Sequence, residues 1–433
     1  MTSLQRMPLP IALRALRSRN YRLFVAGQLI SLIGTWMQVI AQSWLIYRLT
    51  GSAALLGLIG FAGQIPVFVL APLGGVIADR VNRHHVLIAT QSMMMGLALI
   101  LAALTLGDYV RVWHLFVLAS LLGIANAFDI PARQAFLVEM VDREDIINAI
   151  ALNSSMLNGA RVVGPAVAGL VVAAVGEGWC FLLNGISYVA VIGALLMMRI
   201  AVHAPKSMHA SAWDSVVEGF SYSWHTKPVR ALLLLLGLIS LMGMPYNVLM
   251  PIVADRILDG GPNAYGLLMS ASGVGALAGA ATLTLRRHIR GLGVWVAASA
   301  IGFGVSLIAF SFSRSLWLSA VLLVPAGFFM MVEMAASNTL IQSMIPDRLR
   351  GRVMAVYSMM FMGMAPLGAL VAGAVAAPLG APETIAIGGA VCIAGGLIFG
   401  AGLPRLRGRA RELILAQQVA AGAPPDEASP LQE

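Results

Sequence analysis

The stretch Gly74 to His85, GGVIADRVNRHH, lies between two long apolar segments and contains one Asp, two Arg and two His. A charged turn this short cannot move far from the points where its flanking segments end. If those segments cross a membrane, the turn must lie at the membrane surface and pack against its neighbours. The stretch therefore predicts a chain of membrane-spanning segments joined by short turns.

Composition also favours a membrane protein. Of the 433 residues, 59% are hydrophobic and only 11% are charged, whereas charged residues make up about 25% of a soluble domain. Apolar runs of about 20 residues recur along the chain, and each can cross a hydrocarbon layer roughly 30 Å thick. Because backbone amides in lipid must form their hydrogen bonds internally, these runs are predicted to be helices.

We predict an all-α membrane protein with twelve transmembrane helices in two pseudo-symmetric six-helix bundles. The spans are expected at about 22–47, 53–78, 86–106, 113–131, 147–175, 179–198, 229–253, 264–285, 293–312, 316–344, 353–377 and 383–403. The corresponding domains are an N-terminal bundle at 1–198, a cytoplasmic linker with an amphipathic helix at 199–228, a C-terminal bundle at 229–404 and a disordered cytoplasmic tail at 405–433.

The basic residues predict the orientation of the chain. All but five of the 28 Lys and Arg residues fall on one side of the predicted membrane, here called the basic face. The exceptions are Arg48, Arg111, Arg256 and Arg314 on the other side and Arg161 within a span. Because cytoplasmic loops are enriched in Lys and Arg, the basic face and both termini are expected in the cytoplasm.

Other function classes lack support in the sequence. The net charge of +9 is spread over short turns without interleaved aromatic residues, so no nucleic-acid partner is expected. No HExxH, GxSxG or P-loop motif occurs, and Cys180 and Cys392 lie in apolar runs without metal-ligand spacing. We therefore expect no enzyme activity, no cofactor and no metal site.

The two halves of the chain repeat. Leu29 to Leu32 and Leu238 to Leu241 both read LISL, at an offset of 209 residues. Asp142-Arg143 recurs as Asp347-Arg348, at an offset of 205 residues. Six spans followed by six similar spans is a repeat plan of secondary transporters, whose substrate site lies near the membrane midplane between the repeats.

Three motifs resemble the major facilitator superfamily. The loop signature of that superfamily resembles Gly75-x-x-x-Asp79-Arg80-x-x-Arg83-His84, and its antiporter motif resembles Arg161-x-x-Gly164-Pro165-x-x-x-Gly169. The wording AFDIPARQAF at 127–136 is similar to the branch of bacterial drug, macrolide and siderophore (enterobactin-type) exporters. The resemblance implies the major facilitator fold in a bacterial cytoplasmic (inner) membrane.

The chain departs from the family pattern at three places. Asn82 stands where the loop signature usually has Gly, and Ala168 replaces the first member of the usual glycine pair. The corresponding turn of the second half, from Arg286 to Arg290, contains no Asp. A gate that depends on this Asp is therefore expected only in the first half.

The charged stretch is predicted to contain that gate. The resemblance implies that Asp79 latches the cytoplasmic face closed, because a carboxylate at a membrane face needs a partner. Arg83 and the N-terminus of the eleventh span, near 351–353, are the expected partners of Asp79, since a helix N-terminus favours an anion. Asp129 is expected to pair with Arg80 or Arg83 from the other side. The predicted gate residues are Gly75, Asp79, Arg80, Arg83 and Asp129. The alternative is a basic turn that only sets topology.

One face of the first span is polar. Its members recur at steps of three and four residues, which places them on one side of a helix: Gln28, Ser31, Thr35, Gln38 and Gln42. Ser240 and Asn247 repeat part of this pattern in the seventh span. We predict that these residues line a central substrate cavity; hydrogen bonding between helices alone is the alternative.

Glu333 is predicted to be the only carboxylate deep within a span, and at an offset of 205 it corresponds to Phe128, next to Asp129. A buried carboxylate can carry a proton, so proton coupling is assigned to Glu333 or Asp129, with Glu333 also facing the cavity. A purely structural carboxylate, paired with Arg161 or a backbone donor, is the alternative for Glu333.

Arg161 shares a helix face with Ser154 and Asn158. It is predicted to bind an anionic substrate group in the cavity, to balance Glu333, or to serve as a buried structural cation. The small and bend-forming residues Gly164, Pro165, Gly169 and Pro366 predict helix bends and close helix packing.

Together these features predict a secondary transporter that exports a small organic compound, drug-like or siderophore-like, in exchange for protons. The expected partners are that compound, protons and membrane lipid, and the expected state is a monomer. The alternatives are an importer or facilitator on the same scaffold, and a non-transporting membrane sensor or assembly partner. The polar face of the first span argues against the last of these.

Overall fold

The structure is a computed structural model that describes residues 11–199, 212–286 and 291–420. The side chains of Ile11, Ala12, Asp79, Ala420 and residues 212–216 lie outside the description. Within the described ranges, twelve helices are long and apolar enough to cross a membrane. The predicted fold class, an all-helical membrane protein with twelve spans, is confirmed.

The helices are numbered α1 to α13 in chain order. The first six are spans: Arg19–Thr50, Ala53–Arg80, Arg83–Leu106, Val112–Glu139, Ile146–Val175 and Glu177–Leu196. Helix α7, Ala212–His225, is the short helix expected in the linker. The remaining six, α8 to α13, are spans: Lys227–Ile257, Gly261–Leu285, Leu292–Phe312, Leu316–Met344, Asp347–Leu379 and Ala381–Ala420.

Local sequence signals set several helix ends. The Ser18 side chain accepts a hydrogen bond from the Tyr21 amide and caps α1. Gly51 ends α1 with a positive φ of 58°, a conformation that costs glycine little. Ser52 then caps α2 by accepting from the Leu55 amide. Because the caps are adjacent, α1 and α2 are joined by only two residues.

The charged stretch Gly74 to His85 is mostly helix. Helix α2 continues to Arg80, and α3 begins at Arg83 after Asn82, whose side chain accepts from the His84 amide. A Cβ added at Gly74 would collide with the backbone carbonyl of Ala127 in α4, whereas one added at Gly75 would meet nothing within 4 Å. Gly74, and not Gly75, therefore permits the close packing of α2 against α4.

The chain divides into two compact units. The first comprises Met1–Met208 and Ala254–Ser270, and the second comprises His209–Val253 and Ala271–Glu433. In the first unit, α1 packs against α5 and α6, and α4 packs against α2 and α3. In the second unit, α10 packs against α11 and α13, and α7 packs against the start of α12.

Residues 254–270 belong to the first unit, although they follow α7 in the chain. Tyr47 Oη donates a hydrogen bond to Asp255 Oδ2 at 2.6 Å, and Arg256 Nη2 donates to the Gly51 carbonyl at 3.2 Å. Further along the segment, Ser270 Oγ donates to the Val162 carbonyl at 2.9 Å. These polar contacts hold the segment within the first unit.

The C-terminal tail corrects a prediction. Residues 405–433 were expected to be disordered, but α13 continues to Ala420. The run RARELILAQQVA at 409–420 contains neither Gly nor Pro and consists mainly of strong helix formers. The rest of the predicted tail, 421–433, lies outside the described residues.

Candidate functional site

The polar face of α1 lines a cavity in the first unit. All five predicted members, Gln28, Ser31, Thr35, Gln38 and Gln42, border a cavity of about 130 Å³. Polar side chains from α3, α4 and α6 complete the wall: Gln91, Asn126, Asp129, Arg133, Asn184 and Tyr188. The structure thus brings the predicted stripe together with polar groups from three other helices.

Glycine allows α6 to approach this wall. A Cβ added at Gly34 would lie 2.5 Å from Asn184 Oδ1 and 2.7 Å from Ser187 Oγ. Asn184 Nδ2 donates a hydrogen bond to Gln38 Oε1 at 2.6 Å, and Ser187 Oγ lies 3.1 Å from Asn184 Oδ1. The amides are therefore oriented by one another, which fixes the donors and acceptors presented to the cavity.

Asp129 is the buried anion of this wall, with only 1% of its surface exposed. One of its oxygens accepts hydrogen bonds from Thr90 Oγ1 at 2.9 Å and from Gln91 Nε2 at 2.8 Å. Its other oxygen lies 3.4 Å from Arg133 Nε, one helical turn further along α4. Two hydrogen bonds and an ion pair therefore stabilise the ionised carboxylate.

This arrangement corrects the predicted place of Asp129 in the gate network, whereas the predicted pairing of Asp79 with Arg83 stays a prediction. Asp129 pairs with Arg133 and not with Arg80 or Arg83, whereas Arg83 binds Glu139 Oε1 at 2.5 Å and the Ala78 carbonyl at 2.8 Å.

The length of α4 explains the difference. The helix was expected to end at about 131, but it ends at Glu139. Ten further residues carry the chain roughly 15 Å beyond Asp129. Glu139 therefore reaches the turn between α2 and α3, while Asp129 lies deep in the helix. The side chain of Asp79, the central residue of the predicted gate, lies outside the described residues.

Glu333 is the buried carboxylate of the second unit, and it is also 1% exposed. Ser337 Oγ donates a hydrogen bond to Glu333 Oε1 at 3.0 Å. Among the described residues, no ion pair involves Glu333. The nearby hydroxyl of Tyr357 donates instead to the Met334 carbonyl at 2.9 Å. Glu333 is therefore held by a neutral partner where Asp129 has a cation.

The two carboxylates occupy equivalent positions. In each unit, the glycine six residues before the carboxylate packs against a backbone carbonyl: Gly123 against Gly63, and Gly327 against Ser272. Gly123 and Gly327 are 204 residues apart, as are Asp129 and Glu333. The register of 205 used in the sequence analysis, which matched Glu333 to Phe128, was wrong by one residue. Asp129 is thus a second carboxylate deep within a span, contrary to the prediction.

Helices α8 and α12 each contain an irregular stretch, and the one in α8 includes Ser240. Ile239–Gly243 in α8 and Met359–Gly363 in α12 are π-helical, a feature frequent at functional sites. Ser240 is fully buried, and within the described residues its hydroxyl has no hydrogen-bond partner. Asn247 Nδ2 donates to the Met244 carbonyl at 3.0 Å. Neither Ser240 nor Asn247 borders the cavity of the first unit.

Arg161 lies over the ring of Trp36, with its guanidinium carbon 5.6 Å from the ring centroid, and not on the cavity wall. This distance is within the range of a cation–π interaction. One turn further along α5, a Cβ added at Gly164 would collide with the side chain of Trp36.

The remaining residues predicted to shape helix packing also lie inside helices. Pro165 is buried within α5, and Pro366 is buried within α12. A Cβ added at Gly169 would lie 2.9 Å from the Pro262 carbonyl and 3.1 Å from Gly266 Cα. The glycine therefore permits α5 to lie close to the start of α9.

Sequence reasoning missed most of the polar groups that α3 and α6 contribute to the cavity and its surroundings. Thr90, Gln91, Asn184 and Tyr188 lie in spans that were interpreted only as apolar runs. Arg133 carried a usable signal, because opposite charges four residues apart face each other on a helix. Its position near the expected end of the fourth span led to its assignment to a turn. In the described residues, no cluster of His, Cys, Asp or Glu could hold a metal ion.

Twelve spans and a buried polar cavity define a multi-pass membrane transporter. Residues 11–415 match the family model described as "Transmembrane secretion effector", and the chain belongs to this family of the major facilitator superfamily. It falls in the superfamily's branch of drug and siderophore exporters, as the sequence motifs predicted.

Named relatives agree with this assignment. The staphyloferrin A transporter of Staphylococcus aureus is 26% identical over 86% of this chain and 93% of its own length. The multidrug efflux pump Tap of Mycolicibacterium fortuitum is 27% identical over 89% of this chain and 95% of its own length. The fold resembles that of a POT family transporter crystallised with 5-aminolevulinic acid, with a TM-score of 0.74 and 12% identity, over 90% of this chain and 97% of that one.

Proposed function

We propose that the protein exports a small organic compound across a bacterial cytoplasmic membrane, in exchange for protons and by alternating access. Glu333 is the proton carrier, and the polar cavity of the first unit forms part of the substrate path. The basic face and both termini lie in the cytoplasm. The buried carboxylate without a cationic partner in the described residues is the observation that carries the proposal.

The energetics of burial support Glu333 as the carrier. An ionised carboxylate is costly to bury unless it is paired, whereas a protonated one forms an ordinary hydrogen bond. Glu333 has a serine hydroxyl as its partner. A proton that binds Glu333 therefore removes a buried charge, and its release restores that charge. A conformational change that alters access to Glu333 would couple to this exchange.

The composition of the cavity wall favours a polar substrate that forms hydrogen bonds. Its wall presents amide, hydroxyl and carboxylate groups, and its one anion is balanced by Arg133. Amides offer both donors and acceptors, which suits compounds that carry several hydroxyl, amide or carboxyl groups. One relative is named for staphyloferrin A and another, the Tap pump, for multidrug efflux. We place the substrate of this chain within that range.

The first experiment measures export directly. Cells with and without the protein are loaded with labelled staphyloferrin A or a labelled macrolide, and retention is followed over time. We expect lower retention in cells that contain the protein, and we expect this difference to vanish when a protonophore collapses the proton gradient. Higher retention in the presence of the protein would instead support an importer, and equal retention of every compound tried would support a non-transporting role.

The second experiment tests the carrier. Purified protein in liposomes that enclose a pH-sensitive dye should move protons when the transported compound is added. Glu333→Gln should abolish this proton movement and gradient-driven accumulation while still exchanging labelled for unlabelled compound. Glu383→Gln, which neutralises an exposed carboxylate at the start of α13, is the matched control and should behave as wild type. Proton movement that persists in Glu333→Gln would contradict the assignment.

A further inference from the structure

Each unit has a short helix that precedes its first span on the basic face. In the first unit this prelude is the 3₁₀ helix Ile11–Arg17, and in the second unit it is α7. Each prelude contacts a segment that we call the turn of its unit. In the first unit this segment is 142–145, between the fourth and fifth spans, and in the second unit it is 346–352, which includes the first six residues of α12. We call a prelude and its turn a bracket.

The first bracket combines two ion pairs of Arg14 with a hydroxyl contact. Arg14 Nη2 lies 2.7 Å from Glu144 Oε2, and Arg14 Nε lies 2.9 Å from Asp145 Oδ1. Four residues after Arg14, Ser18 Oγ donates a hydrogen bond to the Met140 carbonyl at 2.6 Å. The cation of this bracket is on the prelude, and the anions are on the turn.

The second bracket has the opposite polarity. Glu218 of the prelude pairs with Arg348 Nη1 at 3.2 Å and also with Arg352 of the turn. Four residues after Glu218, Tyr222 Oη lies 3.5 Å from the Met344 carbonyl. Burial raises the pKa of Tyr222, so its hydroxyl stays protonated and able to donate. The anion is on the prelude here, and the cations are on the turn.

The two brackets are equivalent at four positions, although Asp145 and Arg352 have no charged counterpart in the other bracket. One ion pair of each bracket, Arg14–Glu144 and Glu218–Arg348, joins residues 130 apart in the chain, and both hydroxyl contacts join residues 122 apart. A single shift of 204 residues relates the four positions of the first bracket, Arg14, Ser18, Met140 and Glu144, to those of the second, Glu218, Tyr222, Met344 and Arg348. The geometry is repeated, whereas the charges are exchanged.

The exchange makes each prelude unsuited to the other turn. The turn 142–145 contains three acids and one Arg, a net charge of −2, and 346–352 contains three Arg and one Asp, a net charge of +2. Glu218 at the first turn, or Arg14 at the second, would meet charges of its own sign. Repulsion of a wrong partner is a general source of specificity between similar interfaces.

The order of synthesis makes such a mistake possible. When α7 has been made, the turn of the first unit already exists, but Arg348 still lies 130 residues ahead of Glu218. At about 5–20 residues per second, the correct turn is absent for on the order of 10 s. During this time, an α7 helix with a cation at 218 would compete with Arg14 for Glu144.

We propose that the reversed polarity of the two brackets is a sorting code that directs each prelude to the turn of its own unit. The decisive comparison keeps an ion pair in both brackets but makes their polarity the same. The polarity-copy variant Glu218→Arg, Arg348→Glu, Arg352→Glu gives the second bracket the polarity of the first. The doubly inverted variant adds Arg14→Glu, Glu144→Arg and Asp145→Arg, which makes the two polarities opposite again.

Cross-linking reports where α7 docks in the membrane-inserted full chain. Cys180 and Cys392 are replaced by alanine, and Ser221→Cys is combined with either Gly351→Cys or Ile147→Cys. Positions 351 and 147 are equivalent under the 204-residue shift, and both are exposed and uncharged. A flexible bismaleimide then yields an own-turn product through 351 or a wrong-turn product through 147.

With native charges we expect the own-turn product alone. In the polarity-copy variant we expect the own-turn product to fall roughly two- to fivefold and the wrong-turn product to appear. This is about the fold-change that corresponds to the free energy of one exposed ion pair. The doubly inverted variant should restore the native pattern or, if the polarity-copy variant fails to insert, should restore insertion. A native pattern in the polarity-copy variant, or an equal defect in the doubly inverted variant, would overturn the sorting code.

Discussion

Asp129 and Glu333 are the same position of two repeats, yet their surroundings differ in one decisive respect. Both carboxylates are 1% exposed, and both have their main side-chain partner four residues further along the helix. That partner is Arg133 in the first unit and Ser337 in the second. Asp129 also accepts hydrogen bonds from α3, through Thr90 and Gln91. The first carboxylate is balanced in charge, and the second is not.

The comparison indicates how one repeated fold supports two roles. A buried carboxylate beside a guanidinium keeps its charge and orients the groups around it. A buried carboxylate beside a hydroxyl is most easily accommodated when it is protonated. Under the proposed function, Asp129 therefore holds the cavity wall in place, and Glu333 exchanges protons. Under the same proposal, the side chain four residues after the carboxylate, Arg133 or Ser337, is the main difference between the two positions.

The largest effect should follow from giving the first unit the partner of the second. Arg133→Ser leaves Asp129 as a buried anion without a cation. We expect a loss of about 3 kcal/mol in the free energy of unfolding, at the lower end of the range for breaking a buried pair, because the Arg133 side chain keeps 22% exposure. Denaturant titration in detergent, followed by tryptophan fluorescence, would measure this loss.

A second substitution distinguishes charge from packing as the cause. Asp129→Asn in the Arg133→Ser background removes the unpaired anion, so the double variant should be more stable than Arg133→Ser alone. If the two losses simply add, the pair does not act through charge and the comparison fails.

A smaller effect should appear when each carboxylate is neutralised by itself. Asp129→Asn gives up hydrogen bonds to a charged group, and we expect a loss of about 1.5–3 kcal/mol in stability with proton-coupled transport retained. Glu333→Gln removes an unpaired buried charge, and we expect unchanged or higher stability with coupling lost. Thermal unfolding and dye-reported proton movement on the same samples would measure both. If Asp129→Asn abolished coupling and Glu333→Gln lowered stability, Asp129 would be the proton carrier and Glu333 the structural carboxylate.

The smallest effect concerns the neutral hydrogen bonds. Ser337→Ala removes the serine hydroxyl that contacts Glu333, at a cost of about 1 kcal/mol, and should change the pH dependence of transport because Glu333 loses a hydrogen-bond donor. Thr90→Val removes one of three partners of Asp129 and is the matched control. We expect a similar loss of stability but no change in the pH dependence of transport. If both variants changed the pH dependence of transport equally, the assignment of proton coupling to Glu333 and not Asp129 would be wrong.

The sequence was sufficient for the fold and for part of the cavity. Apolar runs that are long enough to cross the bilayer must form helices, because lipid offers no hydrogen-bond partner to unpaired backbone N–H and C=O groups. The polar face of α1 was equally accessible, since steps of three and four residues place Gln28 and Gln42 on one side whatever surrounds the helix. Repeat matches also predicted two related halves, although with a register of 205 that was wrong by one residue for the fourth span.

The partners of the charged residues were decided by the tertiary structure. The length of α4 beyond Asp129 determines that Glu139 reaches Arg83 and that Asp129 lies among Thr90, Gln91 and Arg133. A charge can pair with any opposite charge within a few ångströms, and composition does not show which of several candidates lies there. Sequence periodicity therefore determined the helices and their polar faces, because these depend on local geometry. Three-dimensional packing alone determined that Asp129 also accepts hydrogen bonds from α3 and that Glu139, at the end of α4, is a partner of Arg83.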